Sequence, residues 1–216
     1  MGGETDRIEH PIFARAYARF DSFDRLAFGA HRRWLADGLE GRIVDLGAGD
    51  GAMIPYVEDA IGDPARLEYH AVEPDSTMRS HARDRARRLG FPATFHDARA
   101  ESLPFDDDSV DVVVSSLVFC SIADPEAAVD EIARVLRPGG ELRVLEHVGG
   151  DGWYRRVQSA LTPAWKRVAG GCHLDRDTIE RFEDHDAFEA AAFDRTGART
   201  YPAAPVVRGR LRRRAD

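Results

Sequence analysis

Lysine is almost missing from this chain: Lys166 is the only one, and every other basic residue is arginine. The 30 basic residues face 38 acidic ones, for a net charge of −8. Nucleic acid and anionic membrane are both polyanions that an acidic surface repels, so neither is an expected partner. The Asp-rich, Lys-poor balance suits a high-salt cytoplasm, and a GC-rich genome produces the same exchange of Lys for Arg. Cysteine is scarce as well. Cys120 and Cys172 form no close pair, which excludes a disulfide framework and a metal knuckle. The eight histidines lack the spacing that gathers ligands around one ion, so no metal is expected. No uncharged apolar run approaches the length of about 18 residues that a membrane span needs. Met1 to Arg7 is polar and carries no apolar signal core, so the expected location is the cytoplasm.

What is present is the composition of an ordinary globular chain: 216 residues, 43% hydrophobic and 31% charged. The length predicts one domain over residues 1–216, read as N-terminal helices over 1–40, a core over 41–148, and a cap with C-terminal strands over 149–216. From residue 42 onward, short β-branched runs alternate with helical patterns, the mark of an α/β, doubly wound, mostly parallel sheet. Arg42 to Leu46, Leu67 to Val72, Ala93 to His96, Val110 to Ser115 and Glu141 to Val148 are the five strands of that core. Final strands are expected near Phe188 to Phe193 and Val206 to Leu211. Asp75 caps the helix after the second strand, and Gly90 ends it. Asp124-Pro125-Glu126 starts another, stopped by Pro138-Gly139-Gly140. Phe13, Tyr17 and Phe20 share one face of an N-terminal helix that Leu26, Phe28 and Trp34 extend, read as a lid.

Asp45-Leu46-Gly47-Ala48-Gly49-Asp50-Gly51 lies where the first strand hands over to a helix, the place where open parallel sheets bind ligands. Glycines let the backbone approach a ligand, and N–H groups at the helix start face the pocket. Gly47, Gly49 and Ala52 also satisfy G-x-G-x-x-A, so a nicotinamide-dependent oxidoreductase remains an alternative. Glu73 ends the second strand, where an acid accepts the ribose hydroxyls of an adenosine-containing ligand.

Taken in order, VDLGAGDG, AVEP, AESLPFDDDSVDVVVSSLVFCSI and ARVLRPGGELRVLEHV resemble the class I S-adenosylmethionine-dependent methyltransferases over residues 40–148. LVFCSIADPE, RVLRPGGELRVLEHV and LTPAWKRVAGGCHLDRDT are similar to the methyltransferase-like proteins that include alkyl-thiol S-methyltransferases. The resemblance implies a Rossmann-like sheet of the seven-strand methyltransferase type, with S-adenosyl-L-methionine as donor and S-adenosyl-L-homocysteine as product. It implies that Asp45, Gly47, Ala48, Gly49 and Gly51 surround the methionine part of the donor and that Glu73, followed by Pro74 and Met78, holds the ribose. Ala100 and Glu101 fall at the adenine, and Ser115 and Ser116 beside the methyl group. Many family members carry Asp-Ala where Arg99-Ala100 stand here; since Arg99 cannot accept from the adenine amine, Asp97 or Glu101 is the substitute.

Methyl transfer needs alignment and exclusion of water rather than a protein nucleophile, so the lack of a Ser-His-Asp pattern is expected. His147, at the end of the fifth strand, is the candidate base, and reads equally as a histidine bonded within the turn that follows. Cys120 reads as a small buried hydrophobe. Cys172 and His173 follow two glycines where they are able to touch an acceptor. Trp153 and Trp165, with Phe13, Tyr17 and Phe20, are candidate lining for an apolar acceptor pocket. The C-terminal arginines Arg208 to Arg214 read as a solvated strand rather than an RNA platform. The function expected is methyl transfer to a small-molecule acceptor, including a thiol; a non-catalytic S-adenosylmethionine sensor is the alternative. Oligomeric state is not legible here.

Overall fold

A computed structural model of the chain describes residues 21–62, 66–189, 193–196 and 200–215. The element order is α1 (Asp21–Ala36), β1 (Gly41–Leu46), α2 (Ile54–Ala60), β2 (Leu67–Val72), α3 (Ser76–Leu89), β3 (Thr94–His96), β4 (Val110–Ser116), α4 (Pro125–Val135), β5 (Leu136–His147), α5 (Gly152–Val168), α6 (Thr178–Glu183), β6 (Phe188–Glu189), β7 (Phe193–Arg195) and β8 (Val206–Arg213). The sheet runs β3-β2-β1-β4-β5-β8-β6, with β7 also on β8. The first five strands in that path are parallel, and β8 closes antiparallel on β5, from Glu141↔Arg212 to His147↔Val206. This is the mostly parallel Rossmann-like sheet of the methyltransferase type. Strand order reverses between β1 and β4, so the crevice at their carboxyl ends is the switch point where such sheets take ligands.

Period-2 alternation decides which core each strand residue enters. Val44 and Leu46 of β1 and Leu142 and Val144 of β5 face one side, with Val129 and Ile132 of α4 and Phe182 of α6. Ile43 and Leu145 face the other, with Leu35 of α1, Ile54 and Val57 of α2 and Ala86 of α3. Each fully buried Val, Leu or Ile contributes about 1.5–3 kcal/mol by leaving water. A third, small cluster, separate from these two, holds Cys120, Cys172 and Leu174, with Trp165, Ala169 and Ala203 packed on it.

The expected helix starts hold. Asp75 accepts from the Thr77 and Met78 amides at 2.8 and 3.0 Å, and Asp124 accepts from Ala127 N at 3.1 Å. Gly90 ends α3 in the left-handed conformation, φ 66. The expected break at Pro138-Gly139-Gly140 is different: α4 passes into β5 at Leu136 without a loop. Fully buried Leu136 already pairs with Val110, and the register shifts before Val112↔Glu141, so the Pro-Gly-Gly segment bulges within the ladder.

The lid residues Phe13, Tyr17 and Phe20 lie outside the described residues. Within α1, Phe28 is buried, while Leu26 is 86% exposed and joins no common surface with it. The C-terminal arginines are largely occupied by the fold. Arg208 and Arg210 stack on Trp34, with ring distances of 4.8 and 4.6 Å, and Arg213 pairs with Asp108. Among the described residues no helix is long and apolar enough to cross a membrane.

Candidate active site

A cavity of about 660 Å³ opens at the switch point, lined from the β1, β2 and β4 ends, from α1, and from the segment after α5. Its two ends differ chemically. The first is built on the glycine loop. Gly49 adopts φ +56, and a Cβ added there would make only ordinary contacts, with Met78 Cε at 3.5 Å and Gly47 O at 3.9 Å, so the loop is open towards the cavity. The Glu73 carboxylate fastens the loop: Gly49 N donates to Oε2 at 2.9 Å and Asp75 N to Oε1 at 2.8 Å. Burial raises the Glu73 pKa against those two amides. Each carboxylate oxygen retains a second lone pair, enough for a diol presented from the cavity.

Asp45 is buried beneath the loop and accepts from Tyr69 Oη at 2.6 Å. Burial pushes its pKa up to about 7, although the Tyr69 hydrogen bond and the nearby Arg32 charge pull the other way. Arg32 is 2% exposed, pairs with Asp24 and donates from Nε to Ser116 Oγ at 3.3 Å. It brings a guanidinium into the cavity wall from α1.

Of the residues expected to hold the donor, Asp45, Gly47, Ala48, Gly49, Glu73, Pro74, Met78, Ala100, Glu101 and Ser116 line the cavity together. Two do not. A Cβ on Gly51, φ +82, would lie 2.9 Å from Ile54 Cδ1 and 3.1 Å from Ala82 Cα, so this glycine permits α3 to pack close and does not face the ligand. Ser115, one residue before Ser116 and hence on the opposite face, donates its hydroxyl to Glu146 Oε1 at 2.7 Å. Between the two candidates for the adenine acid, Glu101 lines the cavity, while Asp97 lies off it and takes a 2.8 Å hydrogen bond from Arg79.

The second end gathers residues far apart in sequence. Glu146 accepts from Ser115 and from the Val118 and Phe119 amides at 3.1 and 3.2 Å, fixing the turn that presents Cys120. Burial raises Glu146 to about 7. Leu117, at φ +63, is held left-handed within that turn, a conformation costing a non-glycine residue roughly 1–2 kcal/mol. Arg176 donates to the Phe119 and Ile122 carbonyls at 2.5 and 2.8 Å, drawing the segment after α5 onto the same turn. Cys172 thereby meets His147, with Sγ 3.1 Å from Nε2. The Cys120 thiol beside it, then His147, lower the Cys172 pKa, while the same contact raises that of Cys120.

Cys120 is the small buried residue expected, packed with Cys172 and Leu174, and it also lines the cavity together with His147, Trp165 and Cys172. His173, in contrast, turns back to the Cys120 carbonyl, and Trp153 is 75% exposed and off the cavity. Sequence reasoning missed Arg32 and Glu146, and it missed the convergence of the two cysteines on His147. The acid beside His147 at a strand end was the available signal for Glu146.

A glycine loop at the switch point, an acid after β2 and a cavity reaching past β4 define the class: an S-adenosylmethionine-dependent methyltransferase, whose donor the Gly49 opening, the Glu73 carboxylate and the Asp45–Arg32 charges fit. Residues 44–144 match the family described as a methyltransferase domain. The thiol S-methyltransferase TMT1B of Rattus norvegicus is 31% identical over 178 residues, covering 80% of this chain and 70% of that protein. The ubiquinone/menaquinone biosynthesis C-methyltransferase UbiE of Vibrio parahaemolyticus is 33% identical over 145 residues, covering 62% of this chain and 55% of that protein. A SAM-dependent methyltransferase structure from Aquifex aeolicus superposes with a TM-score of 0.63 at 15% identity, covering 92% of this chain and 97% of that one, a likeness of fold alone. The chain belongs to the class I S-adenosylmethionine-dependent methyltransferases, in the family that includes the thiol S-methyltransferases.

Proposed function

We propose that the protein transfers the methyl group of S-adenosylmethionine to a small, partly apolar thiol. The observation that carries this reading is the far end of the cavity, where Trp165, Ala169 and Ala203 surround a sulfur-and-imidazole patch suited to a soft nucleophile; the thiol S-methyltransferase relative supports it independently. The donor supplies a methyl group already activated on a sulfonium, so the protein has to align, desolvate and deprotonate. Glu73 holds the ribose hydroxyls and Glu101 the adenine side. Asp45 and Arg32 hold the amino and carboxylate groups of the methionine part, and the Gly47 to Gly49 backbone closes around it. Ser116 and Leu117 mark the border between the two ends. His147, whose Nε2 faces the Cys172 sulfur, assists at the acceptor's sulfur from the same end of the cavity. A thiol, with an ordinary pKa of about 8.5, needs little help to ionise. Nucleic acid is left out as acceptor because Arg208 and Arg210 are committed to Trp34.

The test is turnover with S-adenosylmethionine and a panel of small alkyl thiols, quinols and amines, reading S-adenosylhomocysteine release and the methylated product by mass spectrometry. A thioether product is expected. Release of S-adenosylhomocysteine with a quinol and none with any thiol would move the chain to quinol methylation, on carbon if fragmentation places the new methyl group on the ring. No turnover with any acceptor, despite donor binding, would favour the sensor alternative.

A further inference from the structure

Cys120, His147 and Cys172 come from three segments: the turn after β4, the end of β5 and the loop after α5. All three are buried, and their sulfur and ring-nitrogen atoms lie within 4.8 Å of one another. Zinc bonds nitrogen at about 2.0–2.1 Å and sulfur at about 2.3 Å, which sets neighbouring tetrahedral ligands about 3.5 Å apart. The 3.1 Å between His147 Nε2 and Cys172 Sγ is close to that spacing. Two thiols and an imidazole, with no carboxylate among them, select a zinc-class cation over magnesium or calcium.

The histidine is turned into this cluster by its Nε2. His147 is 3% exposed, and among the described residues its ring makes its polar contact through Nε2, with Cys172 Sγ. All three residues also line the cavity, so a cation held between them would present its remaining position to the acceptor. Three protein ligands plus one open position is the pattern of catalytic zinc, whereas structural zinc is closed by four.

We propose that Cys120, His147 and Cys172 bind one zinc-class divalent cation whose open fourth position takes the acceptor's sulfur. The proposal rests on the thiol reading and deepens it. The acceptor R–SH binds as thiolate, and its proton leaves with the hydroxide it displaces, as water. A sulfur lone pair then forms the new S–CH3 bond as the methyl–sulfonium bond breaks, and that bond's electron pair stays on S-adenosylhomocysteine. The product thioether is neutral and a weaker ligand, so it leaves. Water binds again as hydroxide and returns the proton to solvent. The net change is R–SH plus S-adenosylmethionine giving R–S–CH3, S-adenosylhomocysteine and one proton.

Cobalt(II) titration of the full chain, stripped with chelator, tests this without relying on turnover. One equivalent is expected to bind with the intense sulfur-to-cobalt charge-transfer band of a tetrahedral thiolate site. Adding a small alkyl thiol in the presence of S-adenosylhomocysteine should move that band. Cys120→Ser, Cys172→Ser and His147→Ala should each weaken cobalt binding by about a hundredfold or more, because each removes a ligand. Unchanged S-adenosylhomocysteine affinity in the same variants would show that they fold. No tetrahedral band in the wild-type chain, or a band that survives in the double cysteine variant, overturns the proposal. Thiol methylation at full rate in the chelated wild type also overturns it, and leaves thiol methylation standing. A band that needs all three residues but ignores every thiol, in a protein that methylates none, overturns the thiol reading and with it the role given to the fourth position.

Discussion

The two ends of the cavity are built in opposite ways. At the donor end, Asp45 to Gly49 and Glu73 to Met78 are two short continuous segments at neighbouring strand ends, and backbone amides do much of the holding. At the acceptor end, Cys120, His147, Trp165 and Cys172 stand on four separate elements and meet only because Glu146 pins one turn and Arg176 ties the next segment to it. A local chain conformation can be fixed by glycines and caps. A tertiary meeting place needs buried polar anchors, since an unpaired Glu146 or Arg176 there would be heavily penalised. The donor end should therefore be sensitive to backbone changes, and the acceptor end to the loss of individual side chains.

The sharpest way to break that contrast is Gly49→Val. A non-glycine residue at φ +56 costs roughly 1–2 kcal/mol, and a β-branched one is a clear outlier there. The side chain would in addition stand in the donor's space. S-adenosylhomocysteine affinity measured by calorimetry is expected to fall by about a hundredfold or more, equivalent to about 2.8 kcal/mol, with the far-UV spectrum near wild type. Retained micromolar affinity would put the donor elsewhere.

That contrast also explains what was legible in the sequence. The order of strands, the Asp75 and Asp124 caps, and the residues from Asp45 to Glu101 that line one end of the cavity are local patterns, and local patterns survive in one dimension. Gly51 and Ser115 were assigned to the ligand because spacing does not reveal direction: Gly51 faces Ala82 and Ser115 faces Glu146. The α4–β5 junction was misread because Pro138-Gly139-Gly140 is punctuation in any local reading, whereas Leu136 had a partner waiting in Val110. The two glycines before Cys172 marked it as able to touch an acceptor, and it does line the cavity, but nothing in the sequence joined it to Cys120 or His147. Their meeting depends on the cap lying against the turn after β4, a contact that no periodicity encodes.

Asp45 offers a medium effect, read through pH. Because burial raises its native value from 3.8 to about 7, the folded chain holds the proton more tightly than the unfolded one. The stabilisation this gives is complete below about 3.8, declines as pH rises, and is gone above about 7. The donor is a cation at its sulfonium, so it prefers the ionised carboxylate. Its affinity should rise with pH, at most about tenfold per unit, and level off above 7. Asp45→Asn should flatten both the stability slope and the affinity slope. An affinity profile identical in wild type and variant would remove Asp45 from contact with the donor's charge.

The smallest effect tests whether the two ends are separable. Trp165 packs on Cys120, Cys172 and Leu174 and lines the cavity at the acceptor end alone. Trp165→Leu keeps an apolar side chain against the cysteines while removing the broad ring face that an apolar acceptor would meet. With a thiol substrate, KM for the acceptor should rise by about tenfold, the scale of losing one aromatic contact, with kcat little changed. S-adenosylhomocysteine affinity should stay within about twofold, because a substitution away from a binding site usually changes its free energy by less than about 0.5 kcal/mol. If the two constants move together, the turn fixed by Glu146 couples the halves. The acceptor end would then be shaped by donor binding rather than standing ready before it.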